Sequence, residues 1–295
     1  MPDAMAGRVC VVTGASSGIG KATATALASL GATVVLVCRD HGRGAAAMAE
    51  IGAAATGAEP SLELADLASM RQVRDLATRL GTLPRLDVLV NNAGLRVGRR
   101  QLTADGLEHT LAVNHLAPFL LTNLLRPALE ASAPARVVTV ASVAHRIATL
   151  HLDDLQLERR YAAMLAYSNS KLANVLFTRE LARRLEGTGV TANCAHPGMV
   201  ATNFLQSENR LLQLGMTAGR HLVRSPQSGA RTIVYLASSP DVASQTGGYY
   251  VSRRRRRPSR TARDDHTAGR LWDISTQLTG LTLGARPRPA GMSSV

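Results

Sequence analysis

The sequence predicts a single α/β domain, a doubly wound Rossmann-type fold in which a parallel sheet of about seven strands carries helices on both faces. Two observations predict it. Short runs rich in Val and Ile alternate with longer Ala- and Leu-rich stretches of helical period from residue 8 to about residue 200. The first six short runs are apolar almost throughout, as strands covered on both faces are.

The predicted elements follow one another in a regular order. The strands cover Arg8–Thr13, Thr33–Cys38, Ser61–Leu64, Asp87–Val90, Arg136–Ala141, Val190–Ala195 and Tyr249–Val251. The helices cover Gly18–Leu30, Gly42–Ala54, Ser69–Leu80, Thr103–Glu130 with a break near Pro118, and Tyr161–Glu186. We expect residues 1–284 to form one domain in which residues 199–225 are a substrate lid, and residues 285–295 to be a disordered tail.

Composition excludes several classes of protein. The 295 residues, 45% of them apolar, can close a hydrophobic core, and no apolar run reaches the roughly 18 residues of a membrane span. Cys10, Cys38 and Cys194 are far apart and suit a reducing compartment better than a disulfide framework or a metal site. Met1–Arg8 lacks the apolar stretch of a secretory signal. We therefore expect a cytoplasmic protein without a membrane span.

The formal net charge of +13 invites a nucleic-acid interpretation, but much of it lies in one short segment. Seven basic residues lie close together in this segment without an acid between them: Arg253–Arg257, Arg260 and Arg263. We interpret Arg253–Arg257 as a solvated loop after the last strand, with an anionic partner, membrane headgroups or nucleic acid as alternatives. No base-stacking aromatic residue interleaves with the run, so we expect no nucleic-acid partner.

A glycine-rich turn follows the first strand and opens directly into a helix. It reads Thr13-Gly14-Ala15-Ser16-Ser17-Gly18-Ile19-Gly20. Glycines at such a junction let the backbone approach a ligand closely, and unpaired amides at a helix start favour a pyrophosphate. The spacing differs from the usual G-x-G-x-x-G, so an ordinary glycine turn is the alternative. The candidate dinucleotide contacts in this turn are Gly14, Ser16, Ser17, Gly18, Ile19 and Gly20.

Polar residues after the next strands extend this candidate site. Where a carboxylate would bond the adenosine ribose, the second strand is followed by Arg39, whose guanidinium suits a 2′-phosphate. The sequence therefore favours NADP(H) over NAD(H). The alternative is that Asp40 hydrogen-bonds the adenosine ribose of NAD(H), which carries no 2′-phosphate. After the third strand, Asp66-Leu67 either accepts from the adenine amino group or caps a helix. Asn91-Asn92-Ala93-Gly94 ends the fourth strand at the same sheet edge.

A tyrosine and a lysine form the candidate chemical unit. Tyr167 and Lys171 stand four apart in a stretch without Pro or Gly, so a helix there places them on one face. A free phenol has a pKa of about 10, and a neighbouring ammonium lowers it. Ser142 ends the fifth strand, either reaching a substrate oxygen or being a routine strand-end serine. Asn114 lies in a predicted helix, where Asn is unfavourable unless its side chain is bonded.

These motifs together resemble the short-chain dehydrogenase/reductase family in order and spacing, over about residues 6–280. The resemblance is carried by Thr13–Gly20, Asn91–Gly94, Asn114, Ser142, Tyr167-Ser168-Asn169-Ser170-Lys171 and His196-Pro197-Gly198. Within the family, residues 114–122, 167–177 and 271–278 are most similar to the retinol-dehydrogenase-like branch.

The resemblance implies an enzyme that interconverts a carbonyl and an alcohol by hydride transfer with NADP(H) and without a metal. Tyr167 would be the general acid and base, Lys171 would hold the nicotinamide ribose and lower the pKa of Tyr167, and Ser142 would orient the substrate oxygen. Asn114 would support a water-linked proton path to Lys171. The other dinucleotide contacts would be Arg39, Asp66, Leu67, Asn92, Ala93, Gly94, Tyr167, Lys171, Pro197, Gly198, Val200 and Thr202.

The predicted lid is rich in Leu and Met, which indicates a lipophilic alcohol or ketone as substrate. Candidate substrate contacts are Val143, His145, Met199 and Phe204, and His145 suits an exposed loop equally well. The two longest predicted helices suit a homodimer or homotetramer. The alternatives for function are a catalytically silent NADP(H)-binding regulatory protein and a non-redox reaction on the same fold.

Overall fold

The computed structural model describes residues 4–198 and 225–282 of the chain. Within them, eight strands form one sheet in the order β3-β2-β1-β4-β5-β6-β7-β8. The strands are β1 (Val9–Thr13), β2 (Thr33–Cys38), β3 (Ser61–Leu64), β4 (Val88–Asn91), β5 (Ala135–Val140), β6 (Val190–His196), β7 (Tyr249–Val251) and β8 (Arg254–Arg256). The first seven pair in parallel, and only β8 is antiparallel to its neighbour. The predicted doubly wound α/β fold is confirmed.

Helices cover both faces of this sheet. They are α1 (Gly18–Ala28), α2 (His41–Gly52), α3 (Met70–Leu80), α4 (His109–Leu111), α5 (Ala117–Leu124), α6 (Arg126–Ala131), α7 (Ala163–Arg184), α8 (Pro226–Ser238) and α9 (Asp265–Thr279). A π-helical turn, Ala112–Leu116, joins α4 to α5, and a short 3₁₀ turn, Val143–Ile147, follows β5. Helices α8 and α9 are absent from the sequence prediction.

The core is divided by the sheet into two apolar clusters. Val9 and Val11 pack with side chains of α3, α5, α7 and α9, whereas Cys10 and Val12 pack with side chains of α1, α2 and α8. Because successive residues of a strand point to opposite faces, a strand between two helical layers must be apolar at every position. This is the physical reason for the continuous apolar runs that predict a parallel sheet.

The predicted helix Thr103–Glu130 begins later than expected and is interrupted at two places. The Thr103 hydroxyl accepts from backbone amides in a turn closed by Gly106, whose φ is 73°. Helix α4 starts only after Glu108, whose carboxylate caps it by accepting from two amides of its first turn. The predicted break near Pro118 corresponds to the π-helical turn Ala112–Leu116, which ends where α5 begins with Pro118 in its first turn, and a second break falls at the junction of α5 and α6.

The interpretation of Arg253–Arg257 as a loop is wrong for three of its residues, because β8 is an exposed edge strand. Ser252 and Arg253 have φ values of 50° and 62°, as in the two-residue type I′ turn of a β-hairpin. Among the described residues, no carboxylate forms an ion pair with Arg253–Arg257. The hairpin turn, rather than the strand propensity of arginine, sets this pairing.

Several expectations concern the whole chain, but the structure can be compared with them only at the described residues. In the two described ranges, no helix has the length and apolar character that crossing a bilayer requires. The same ranges hold no cluster of three or more His, Cys, Asp or Glu side chains suited to a metal ion. Cys10, Cys38 and Cys194 are buried and unpaired. The predicted lid, residues 199–225, lies outside the described residues except for Ser225, and the predicted tail, residues 285–295, lies wholly outside them.

Candidate active site

The loops that follow β1 and β4 contact each other at the carboxyl edge of the sheet. Thr13 Oγ1 accepts from the amides of Asn92 at 3.0 Å and Ala93 at 3.1 Å, and Asn92 Nδ2 donates to the Thr13 carbonyl at 2.8 Å. A Cβ on Gly14 would lie 2.9 Å from Ala93 Cα, so this approach requires glycine. The strand order reverses between β1 and β4, and ligands of open α/β sheets bind at such a point.

The start of α1 faces this crevice with its amides uncapped. Ser17 is the N-cap residue, but its side chain makes no capping hydrogen bond, and the first turn holds no acidic residue. A Cβ on Gly20 would lie 2.2 Å from the Gly14 carbonyl oxygen, so glycine is required there to close the turn. Uncapped amides at a helix start bind phosphate oxygens well. The residues present therefore fit the pyrophosphate of a dinucleotide.

Arg39 and Asp40 follow β2 and have different surroundings. Asp40 caps α2, because its Oδ1 accepts from the Arg43 amide at 2.8 Å and lies 3.5 Å from the Arg43 Nε. This amide and the Arg43 charge hold the pKa of Asp40 below its usual value. Arg39 is exposed and forms no ion pair with any residue that the structure describes. The Ser16 side chain hydrogen-bonds to the Cys38 thiol just before Arg39.

Asp66 is not a helix cap, so that alternative is wrong. Ser69 caps α3 by accepting from the Gln72 amide, while Asp66 Oδ1 accepts from the Ala68 amide at 3.0 Å within the preceding turn. Leu67 is buried beside it. The adenine contact assigned to Asp66 and Leu67 stays a prediction.

Ser142, Tyr167 and Lys171 meet beside the carboxyl end of β5. The Ser142 and Tyr167 side chains hydrogen-bond to each other, and Ser142 Oγ also accepts from the Ala144 amide at 3.2 Å. Lys171 Nζ lies 5.7 Å from the centroid of the Tyr167 ring and donates to the Val140 carbonyl at 3.0 Å. The predicted α7 helix thus places the tyrosine and the lysine one turn apart at the same site.

Asn114 is fully buried in the π-helical turn. Its Oδ1 accepts from the Leu95 amide at 2.8 Å, and its Nδ2 donates to the Leu95 carbonyl at 2.9 Å and to Ser170 Oγ at 3.0 Å. These bonds hold the loop after β4 against α7. Pro118 has no amide to donate to the Asn114 carbonyl four residues earlier. The proton path from Asn114 to Lys171 stays a prediction.

Gly94 joins the crevice to the chemical unit. A Cβ at this position would lie 3.3 Å from Asn114 Oδ1 and 3.4 Å from Lys171 Nζ. The loop that carries Asn92 and Ala93 therefore ends directly against the two polar groups. Pro197 and Gly198 follow β6 at the same edge of the sheet.

The pKa values of the two central groups shift for one main reason. Burial raises the pKa of Tyr167, and the hydrogen bond with Ser142 and the positive charge of Arg96 oppose that rise. Burial lowers the pKa of Lys171 to about 8. The groups that oppose the effect of burial on Tyr167 here are Ser142 and Arg96, and the lowering of its pKa by Lys171 stays a prediction. Arg96 is missing from the predicted site, although it closely follows the Asn91–Gly94 motif.

His145 is buried rather than exposed in a loop or open to substrate. Its Nε2 accepts from the Ser259 amide at 3.1 Å, which leaves its Nδ1 to donate to the Ser142 carbonyl at 2.6 Å. Its ring lies 4.9 Å from the ring of Tyr249 between centroids, and burial lowers the pKa of His145. Both nitrogens are engaged, so His145 links two loops and is not the predicted substrate contact.

Exposed apolar side chains border Ser142 and Tyr167. Val143 is 45% exposed, Ile147 is 65% exposed, and Met164, one helical turn before Tyr167, is 45% exposed. Only Val143 is among the predicted contacts, although the i, i+3 spacing of Met164 and Tyr167 is visible in the sequence. The other predicted contacts, Met199, Val200, Thr202 and Phe204, lie outside the described residues.

Comparison with known proteins decides the family. The sequence model of the family described as short chain dehydrogenase matches residues 8–212. The chain belongs to the short-chain dehydrogenase family. As a short-chain dehydrogenase it is an oxidoreductase, and Retinol dehydrogenase 14 of Homo sapiens is 43% identical over 298 residues, covering 95% of this chain and 88% of that protein. This similarity confirms the predicted likeness to the retinol-dehydrogenase-like branch.

Solved structures agree with this short-chain dehydrogenase assignment. The crystal structure of an uncharacterized protein from Mycobacterium Paratuberculosis matches with a TM-score of 0.76 and 37% identity, over 93% of this chain and 94% of that one. The NADP active-site complex of RhlG from Pseudomonas aeruginosa matches with a TM-score of 0.69 and 28% identity, over 91% of this chain and 99% of that one.

Proposed function

We propose that this short-chain dehydrogenase is an NADP(H)-dependent enzyme that interconverts a carbonyl and an alcohol on a lipophilic small molecule. The observation that carries the proposal is the meeting of Ser142, Tyr167 and Lys171 beside a crevice whose uncapped helix start suits a pyrophosphate. When bound in the crevice, the nicotinamide coenzyme supplies or accepts the hydride.

The chain's own groups orient the substrate and move one proton. Ser142 holds the reacting oxygen next to the Tyr167 hydroxyl, to which it is already hydrogen-bonded. Because burial raises its pKa, Tyr167 carries a proton at neutral pH, the form that donates to a carbonyl oxygen. The charge of Lys171, held on the Val140 carbonyl, favours the phenolate left after the transfer. In alcohol oxidation, the same groups act in reverse.

Selection of NADP(H) is assigned to Arg39. The competing residue Asp40 already accepts from the Arg43 amide and pairs with its guanidinium, whereas Arg39 is exposed after β2. A guanidinium forms charge-assisted bonds with a 2′-phosphate and none of comparable strength with a ribose hydroxyl. The NADP complex of RhlG, a structural relative, is consistent with this choice.

Replacing Arg39 by Ser should lower kcat/KM for NADPH about ten- to a hundredfold, as expected for the loss of charged hydrogen bonds. The value for NADH should stay within about twofold, because Arg39 has no phosphate to bind there. Steady-state kinetics with both coenzymes measures the two values in one preparation. A tenfold higher efficiency with NADH in the unaltered protein would refute the role of Arg39.

The substrate is assigned by the surface around the reacting groups. Val143, Ile147 and Met164 offer exposed apolar area next to Ser142 and Tyr167, which suits a lipophilic body with one reacting oxygen. The name of the relative Retinol dehydrogenase 14 points to a lipophilic alcohol. We expect the enzyme to work in the cytoplasm as a homodimer or homotetramer.

A panel of ketones, aldehydes and alcohols of graded lipophilicity tests this function. Following the absorbance of reduced nicotinamide, we expect turnover with the lipophilic members and weak turnover with small charged sugars or acids. Turnover restricted to the charged compounds contradicts the lipophilic substrate. Tight NADPH binding without any turnover across the panel instead indicates a silent regulatory protein.

A further inference from the structure

A row of buried polar side chains extends from Lys171 away from the crevice, and the proton transfer proposed above does not use it. Asn174 Nδ2 donates at 3.4 Å to the Val140 carbonyl oxygen that also accepts from Lys171 at 3.0 Å. Asn174 Oδ1 lies 3.3 Å from His115 Nδ1, and His115 Nε2 lies 2.9 Å from Ser275 Oγ. The row therefore links the site to α9.

The direction of every hydrogen bond in this row is fixed. An amide oxygen only accepts, so His115 Nδ1 must carry the proton that Asn174 Oδ1 accepts. His115 Nε2 then has no proton and accepts from the Ser275 hydroxyl. Burial lowers the pKa of His115 to about 4, so the ring stays neutral, as this arrangement requires.

The surroundings hold this row in place. His115 is fully buried, with the rings of Phe119 and Phe177 at centroid distances of 6.2 Å and 6.1 Å. Asn174 and Ser275 are likewise buried. Polar side chains in such a site destabilise the fold unless they are paired, and apolar residues could fill the space. A complete row that ends on the acceptor of Lys171 therefore suggests a role in placing that ammonium.

We infer that Asn174, His115 and Ser275 are positioning residues for Lys171, acting through the Val140 carbonyl that Lys171 and Asn174 share. In this arrangement Asn174 Nδ2 donates to the Val140 carbonyl oxygen, which makes that oxygen a weaker acceptor for Lys171. The Asn174 side chain also presents its NH₂ group, which is a donor, rather than its carbonyl oxygen at the acceptor that the lysine uses. Breaking the row at Ser275 lets the Asn174 amide turn or withdraw. Lys171 then has a stronger acceptor, and its charged form is favoured.

Lysine labelled at Cε offers a direct test, because the chain contains only Lys21 and Lys171. We expect Ser275→Ala to raise the pKa of Lys171, read from its NMR titration, by about 0.5 unit or more, a threefold change in the proton equilibrium. Ser275→Thr keeps the hydroxyl and should restore the original value. Ser275→Cys keeps the shape with a weak donor and should fall between the two.

Thr279→Val is the matched control. Thr279 is buried on α9 one turn after Ser275 and donates to the Ser275 carbonyl, but it makes no bond to His115. We expect it to lower stability about as Ser275→Ala does and to leave the Lys171 titration unchanged. An unchanged Lys171 pKa in both Ser275→Ala and Ser275→Cys, or equal shifts in Ser275→Ala and Thr279→Val, overturns the inference.

A kinetic measurement extends the test and rests on the proposed function, whereas the titration does not. Ser275→Ala should lower kcat about three- to tenfold and move the alkaline limb of the kcat profile with the Lys171 pKa. A protein that shows the titration shift but no turnover retains the positioning role and loses the proposed function. Turnover with an unmoved Lys171 titration retains the function and removes the positioning role.

Discussion

Replacing Tyr167 by Phe should lower kcat for carbonyl reduction at least about a hundredfold, the usual contribution of a positioned proton donor. The ring remains, so the packing around Lys171 is kept and only the hydroxyl bonded to Ser142 is lost. NADPH affinity should stay within about twofold, since the phenol acts on the substrate oxygen. Single-turnover kinetics and a direct NADPH titration measure the two effects separately.

Tyr161→Phe is the matched control for this substitution. Tyr161 lies just before α7, and Val97 lies on the loop that follows β4. The Tyr161 hydroxyl donates to the Val97 carbonyl at 3.1 Å. Its loss should cost stability but keep kcat within about threefold. If Tyr167→Phe retains more than about a tenth of the turnover, the proton comes from another group, and Ser142 becomes the candidate.

The fold was open to prediction because most of its strands are buried on both faces, although the strand Ser61–Leu64 is exposed or half-buried at all four positions. In β1, β2 and β4 almost every side chain is buried, so the apolar runs of the sequence coincide with the strands. Tyr167 and Lys171 were open to prediction for a similar reason, because helical spacing places them on one face whatever the rest of the chain does. The crevice follows from the order of the strands alone.

Features that depend on particular hydrogen bonds and turns, rather than on the pattern of apolar residues, escaped prediction. The Arg254–Arg256 strand exists because a two-residue turn returns the chain along β7, and arginine propensity does not indicate it. From sequence, His145 suits an exposed loop, whereas in the structure it is buried and its Nε2 accepts from the Ser259 amide, 114 residues later. The late start of α4 depends on which groups bond Thr103 and Glu108.

The electrostatics of the site were the least predictable part, because burial is a tertiary property. From sequence, a lysine beside a tyrosine suggests an ammonium that acidifies a phenol. In the folded protein, burial dominates both groups, raising the pKa of Tyr167 and lowering that of Lys171. Arg96 joins them from the loop after β4, where spacing on α7 gives no hint of it.

Lys171→Met should abolish turnover and at the same time stabilise the protein in the absence of coenzyme. Burial lowers the pKa of Lys171 from 10.5 to about 8, so at neutral pH the folded state holds an ammonium that it disfavours. A shift of this size corresponds to about 3 kcal/mol, from which the lost bond to the Val140 carbonyl must be subtracted. We expect a net gain of about 1 to 3 kcal/mol in the free energy of unfolding at pH 7.

The sign of the pH dependence separates this cause from a general effect of packing. Between pH 8 and 10.5 the unfolded chain binds more protons at Lys171 than the folded protein, so the contribution of Lys171 to the free energy of unfolding becomes less unfavourable as the pH rises through that window. The advantage of Lys171→Met should therefore shrink over the same window, as denaturant titrations at pH 7, 8.5 and 10 can measure. Lys21→Met is the matched control: Lys21 is partly exposed and pairs with Glu50 at 2.7 Å, so its removal should change stability by less than about 1 kcal/mol at any pH. A Lys171→Met protein that is less stable than the unaltered one at pH 7, or whose advantage does not change with pH, would mean that the buried ammonium is not a source of strain.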